Sequence, residues 1–205
     1  KTPIGAVGLL AEAMENSLDQ PDVLAKLVKN IGKEAKRLSA LVKDIIQLSR
    51  IQSAANVTST DVVNLIDVVK DAIDRNSWRS EKSGIEVVFT SAKDKVQVYG
   101  DAEMLTVAVK NLVENAIIYS NKGDQVQVVI EAGDDIAKIL VKDSGIGIPK
   151  EEQARVFERF YRVDQSRSRE TGGTGLGLSI VKHAAISHLG DVRLFSKPGV
   201  GSTFT

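Results

Sequence analysis

The chain has 205 residues, 42% hydrophobic and 26% charged, enough for one large domain or two small ones with a buried core. Its 27 basic and 27 acidic residues balance to zero formal charge, so no global field points to nucleic acid or an anionic membrane, and any anion site must be local. Without cysteine it has neither disulfides nor thiolate metal sites, and no apolar run approaches the roughly 18 to 20 residues that span a bilayer, so the fragment reads as soluble.

The opening KTPIGAV lacks an initiator methionine and the closing GSTFT is still strand-like, so both ends read as fragment boundaries. From Pro3 to about Asn56 the pattern predicts two helices. Pro3 suits a first helical turn, where its missing N–H leaves no bond unmade, and Val7, Leu10 and Met14 mark an apolar stripe. A break follows at SLDQPD, with Pro21 starting the next helix and Asp19 its expected cap. There Leu24, Val28, Ile31, Ala35, Leu38, Val42 and Ile45 alternate steps of four and three, the seam of a left-handed coiled coil or bundle. Two such helices hold too little core to stand alone, so residues 3–52 are expected to form a homodimer, a four-helix bundle. The alternative is that the hairpin folds back on its own chain.

NVTSTDVV breaks the periodicity and places a boundary near residues 56–60, giving a helical hairpin over 1–56 and a second domain over 57–205. In the second domain a helix is expected over residues 64–80, then IEVVFT and KVQVYG as short strands, then a helix over 101–119. QVQVVIEA and IAKILVKD follow as strands, and GDVRLFSKPGVGSTFT closes the chain as a hairpin. The fold class is therefore α+β: the helical hairpin, then an α/β sandwich in which one mixed sheet carries helices on one face.

Three stretches carry chemistry. In NLVENAIIYS, Asn111 and Asn115 are i and i+4 neighbours with Glu114 beside them, a polar face amid Leu112, Val113, Ala116 and Ile117. DSGIGIP ends a strand at Asp143, and TGGTGLGLSIVK ends a glycine-rich loop and opens a helix. Glycines at a helix N-terminus let backbone N–H groups approach an anion, and the helix dipole adds to the attraction. Singly each motif is weak. The loop lacks the Lys-Ser/Thr of a P-loop and lies too late in the chain for a dinucleotide fold.

Their order, with FERFYR before the loop and PGVGSTF after it, resembles the catalytic core of sensor histidine kinases, whose nucleotide domain belongs to the wider GHKL ATPase group. The KTP at the start is similar to the tail of that family's phospho-acceptor box, His-Glu-x-x-Thr-Pro, so the resemblance covers essentially the whole chain. FERFYRVD and GGTGLGLSIVKH look closest to the actinobacterial phosphate-sensing kinases.

The resemblance implies ATP and Mg²⁺, with Asn115 as a direct metal ligand and Asn111 its neighbour in that shell. Glu114 would order a metal-bound water or act as a nearby base, or be a solvated carboxylate. Where hydrolytic GHKL members place a water-activating glutamate stands Asn111, and an amide cannot accept that proton, so hydrolysis should be poor. Asp143 would read adenine, Gly145 and Gly147 would keep the base pocket clear of side chains, and Tyr119 would lie near base or ribose. Arg162 would meet phosphate, with Arg167 a weaker candidate. Phe157 and Phe160 would anchor the base of a lid over residues 165–174. Gly173, Thr174, Gly175, Leu176 and Gly177 would shape the phosphate loop.

Ile118 departs from the family, which often places a basic residue there; either nucleotide affinity suffers or Lys122 or Arg162 compensates. The acceptor histidine would lie three residues before Lys1, whereas His183 and His188 suit a packed or surface helix. Thr2 fits the position that orients water for dephosphorylating the partner. The resemblance thus implies a cytoplasmic protein-histidine kinase core, from a membrane-anchored parent, that passes its phosphoryl group to a response-regulator aspartate. The alternative is an ATP-switched interaction module in which no phosphate moves.

Overall fold

The structure, a computed structural model, describes residues 3–53, 61–133, 135–163 and 173–205. Two helices open it, α1 (Pro3–Glu15) and α2 (Pro21–Ser53), packed against each other. Pro21 takes the first position of α2 as expected, but Gln20 immediately precedes it, and the Gln20 carbonyl accepts from Leu24 N at 2.9 Å. Asp19 stands one residue too far back to cap.

The expected seam of α2 is divided between two faces. Leu24, Leu27, Ile31, Leu38 and Leu41 are half-buried and Leu48 is buried, whereas Val28 (52% exposed), Val42 and Ile45 stay open. Leu48 belongs to the core of the following unit and Leu41 packs against it, so the C-terminal part of α2 does fold back on its own chain.

Beyond residue 60 the chain begins with a strand that the sequence does not announce. β1 (Val62–Asn64) pairs antiparallel with β3 (Gln97–Tyr99) as a separate ribbon, and three residues are too few to show a period. The helix expected over 64–80 is two helices, α3 (Leu65–Asp74) and α4 (Ser77–Ser83). Asn76 separates them. It is buried, and its amide donates to the carbonyls of Ala72 at 2.9 Å and Lys110 at 3.1 Å. The first of these takes the acceptor that a continuous helix would give to main-chain N–H.

The main sheet has the order β2–β4–β5–β7–β6, with β2 (Glu86–Ser91) parallel to β4 (Gln125–Ala132). β5 (Ala137–Asp143), β7 (Gly201–Phe204) and β6 (Leu194–Lys197) follow antiparallel, which makes the expected mixed sheet. Along β4, Val126, Val128 and Ile130 are buried while Gln125 and Gln127 are exposed, so one face takes helices and the other meets solvent. Helix α5 (Ala102–Tyr119) covers the buried face beside α3 and α6 (Gly177–Ser187). Asp101 caps α5, its Oδ1 accepting from Met104 N at 2.9 Å.

Val113 and Ile117 of α5 and Ile180 of α6 are essentially sealed from solvent. They point away from the polar face of α5, so the packing that holds the helix also aims its amides. Ile117→Ala should lower unfolding free energy by about 2–5 kcal/mol in urea denaturation, the range for an emptied aliphatic site. A loss well under 1 kcal/mol, on the order of a surface substitution, would contradict this packing.

Candidate active site

The polar face of α5 opens on one cavity of about 390 Å³. Asn111, Glu114, Asn115, Ile118 and Tyr119 line it together because steps of three and four residues share a helix face. Asp143 and Gly147 border it from the end of β5, and Gly173, Thr174, Gly175 and Gly177 border it from the loop that opens α6. Asn111 Nδ2 donates to the Val107 carbonyl at 2.9 Å, and its Oδ1 lies 3.1 Å from where a Cβ on Gly177 would stand. Helix amides and glycine loop therefore meet at residue 177.

Gly145 and Leu176 are not among the residues lining the cavity. Leu176 is a core side chain with no exposure, and its N–H donates to Thr174 Oγ1 at 3.2 Å. At Gly145 a Cβ would fall 2.2 Å from the Tyr119 carbonyl oxygen, so glycine there is required by the close approach of two backbones. Gly147 does line the cavity, at φ 67°, with the Lys197 carbonyl 2.1 Å from its would-be Cβ.

Asp143 is buried, and its Oδ1 accepts from Gly145 N at 2.9 Å and Ser202 N at 3.1 Å. Burial pushes its carboxyl above the ordinary aspartate range, while the two N–H donors pull the other way. These donors occupy one oxygen, and the residue's place on the cavity wall offers the other to a ligand.

Glu114 is not a solvated carboxylate. Its Oε1 meets Arg79 Nη2 at 2.8 Å and its Oε2 meets Lys110 Nζ at 2.6 Å. Arg162 Nη1 donates to the Gly173 carbonyl at 2.5 Å, and its guanidinium also hydrogen-bonds the Tyr119 side chain. Burial lowers the Arg162 pKa from its ordinary value, with the Arg37 charge pushing the same way.

Two aromatic expectations part company. Phe157 packs edge-on against Phe204, with centroids 6.3 Å apart. Phe160 does not anchor in the core: it is 58% exposed, and its φ of 63° turns the ring outward while its N–H donates to the Gly175 carbonyl at 2.9 Å. Its backbone, not its ring, holds the glycine loop. Lys122 lays its stem beside Gly84 and does not line the cavity. His188 accepts from Asp101 N at 2.9 Å through Nε2 while Nδ1 meets the Ala184 carbonyl, a role in fastening α6 to α5. Thr2, Arg167 and most of the expected lid lie outside the described residues.

The first helical unit also contributes a wall, which no motif suggested. Ala40, Lys43 and Asp44 of α2 line the cavity, and Asp44 Oδ2 accepts from Thr174 Oγ1 at 2.5 Å. Burial raises the Asp44 carboxyl pKa, opposed by the Thr174 hydrogen bond and the Lys110 charge and reinforced by Glu114.

Residues 100–205 match the family described as histidine kinase-, DNA gyrase B- and HSP90-like ATPase, and residues 1–54 match the His Kinase A (phospho-acceptor) domain. The chain belongs to the sensor histidine kinases. This kinase core is 45% identical to the sensor-like histidine kinase SenX3 of Mycolicibacterium smegmatis over all 205 of its residues, which make up 53% of that relative. It is 33% identical to the sensor histidine kinase WalK of Bacillus subtilis, over its whole length and 34% of WalK. The chain thus spans about half or less of the curated relatives it matches. Among solved structures, the mycobacterial sensor histidine kinase MprB covers 70% of the kinase core at 33% identity and a TM-score of 0.60, with 93% of the MprB chain matched. The histidine kinase ThkA, solved in complex with response regulator protein TrrA, shares the fold over 99% of the kinase core and 56% of its own chain, at 22% identity and a TM-score of 0.74.

The raised Asp143 carboxyl makes a pH prediction for this kinase core. A group held protonated longer in the folded state than in the unfolded one destabilises the fold as pH rises through its native pKa. Asp143→Asn keeps an oxygen for both N–H donors but cannot ionise. Its stability advantage over wild type should be larger at about pH 7.5 than at about pH 4 in chemical denaturation. A gap that stays constant or narrows would count against the buried anion.

Proposed function

We propose that this chain is the ATP-dependent protein-histidine kinase core of a two-component sensor, with residues 1–56 the dimerisation and phosphotransfer hairpin and 57–205 the catalytic domain. One observation carries the reading: Asn111 and Asn115, Asp143 and the glycine loop border a single cavity. In this reading Asp143 accepts a hydrogen bond from the adenine amine, Tyr119 lies beside base or ribose, and the glycine loop gives the triphosphate its backbone N–H groups. Two carboxamide oxygens one turn apart on a cavity wall are hard donors of the kind Mg²⁺ accepts, and the ion takes few protein ligands when phosphate supplies the rest. Asn115 and Asn111 would hold it, and it would neutralise charge on the phosphates.

The γ-phosphoryl group passes to a histidine outside these 205 residues: the P–O bond to ADP breaks, a P–N bond forms, and the imidazole proton leaves. An aspartate on a response regulator then receives the group, and Thr2 orients the water that hydrolyses this aspartyl phosphate to aspartate and inorganic phosphate in the phosphatase reaction. With Asn111 in place of a glutamate, and Glu114 engaged by two cations, the cavity face of α5 offers no free carboxylate to activate water. The hairpin dimerises through residues 3–52, using the open flank of Val28, Val42 and Ile45. No described helix is long and apolar enough to cross a membrane, and membrane attachment would belong to the parent protein in a cytoplasm-facing arrangement.

The Asp44–Thr174 hydrogen bond between bundle helix and glycine loop favours a second reading, an ATP-switched docking module without phosphoryl transfer. γ-Labelled ATP separates the two. The 205-residue chain should bind Mg·ATP without labelling itself, and a version carrying about ten more upstream residues should acquire acid-labile label, which the switch forbids. Acid-labile label on the 205-residue chain itself would disprove the external acceptor. By sedimentation, wild type should be dimeric at micromolar concentration and the Val28→Glu, Val42→Glu double variant monomeric; a dimeric variant would remove the open flank from the interface.

A further inference from the structure

Glu114 and its two cations have no task in the reading above. Arg79 reaches the cavity from α4 and Lys110 from α5, and all three residues line it. Their place along the cavity is marked by Asp44, which hydrogen-bonds Thr174 of the glycine loop and feels the charges of Lys110 and Glu114. The cluster therefore sits toward the phosphate end of the cavity, beside Asn111 and Asn115, and not toward Asp143.

We propose that Arg79 and Lys110 form a polyphosphate clamp positioned by Glu114, an assignment that rests on the ATP reading. Two cations share one carboxylate, which leaves a local surplus of positive charge on the catalytic unit of a chain whose formal charge is zero. Asp44 subtracts from that surplus while α2 lies against the loop. Stability does not explain the cluster, because ion pairs with side chains 37% and 34% exposed contribute little. Both cations have donors to spare: a guanidinium carries five N–H groups and an ammonium three, so each can keep Glu114 and still reach a phosphate oxygen. Holding the two side chains to Glu114 beforehand lowers the entropy lost when phosphate arrives. The same face of α5 offers no other cation, since Ile118, one turn beyond Glu114, presents an apolar side chain to the cavity.

Calorimetric titration of the 205-residue chain with Mg·ATP and with adenosine tests the clamp. Arg79→Gln and Lys110→Gln should each weaken Mg·ATP roughly tenfold, as expected for a lost charge-assisted contact, and leave adenosine within about twofold. Ile118→Lys added to Arg79→Gln should recover most of the loss, because a lysine there rises from the same helix face. Parallel losses for ATP and adenosine, with a lowered melting temperature, would mark the cluster as structural and overturn the clamp. Unchanged Mg·ATP affinity in both variants would overturn it too, while leaving the ATP reading intact. Wild type that binds neither compound would refute that reading and the clamp together.

Discussion

The C-terminus of α5 and the turn after β5 touch backbone to backbone, and the rest of the site depends on that contact. The Tyr119 carbonyl accepts from Ile146 N at 3.2 Å, and Gly145 lies so close beneath it that a Cβ would fall 2.2 Å from the same oxygen. A second approach secures the other side of the turn, where a Cβ on Gly201 would stand 2.1 Å from the Asp143 carbonyl. Between these two glycines Asp143 has almost no freedom. Its carboxylate receives N–H groups from Gly145 on its own turn and Ser202 on β7, so its direction is set before any ligand arrives.

With that joint fixed, the polar face of α5 runs from Tyr119 back toward Lys110 as one wall, and α6 begins where Gly177 approaches Asn111. The glycine loop is held from three sides: Phe160 N–H to the Gly175 carbonyl, Arg162 to the Gly173 carbonyl, and Thr174 to Asp44. Two of these holds come from the segment before the loop, and the third comes from the helical hairpin. Any rearrangement of α2 against the second unit is therefore felt at the loop directly, through a hydrogen bond, and at Lys110 and Glu114 through charge.

Much of this was legible from residue spacing. The three longest strands, β2, β4 and β5, and helix α5 follow their periodicities to within a residue or two, and Asp101 and the alternation in β4 are ordinary local signals. What escaped was non-local or too short. β1 has three residues and exists because β3 pairs with it. The break between α3 and α4 depends on Asn76 reaching Lys110, 34 residues on. Phe160 reads as a core aromatic by composition, yet its positive φ points it outward. Gly145 and Leu176 read as ligand contacts because they sit within ligand motifs, whereas one is demanded by Tyr119 and the other by the core.

The sequence by itself determined the polar face of α5 and the longer strands, which rest on neighbours within about one or two turns along the chain, and it determined the family through the order of its motifs along the whole chain. Only the tertiary structure decided that Arg79, Asp44 and Lys110 share a cavity with the two asparagines, and that the expected α2 seam divides between its own chain and open solvent. Those facts depend on the docking of elements far apart in sequence, through backbone approaches that leave no local periodic trace. A glycine records that something passes close by, and it takes the folded chain to say what.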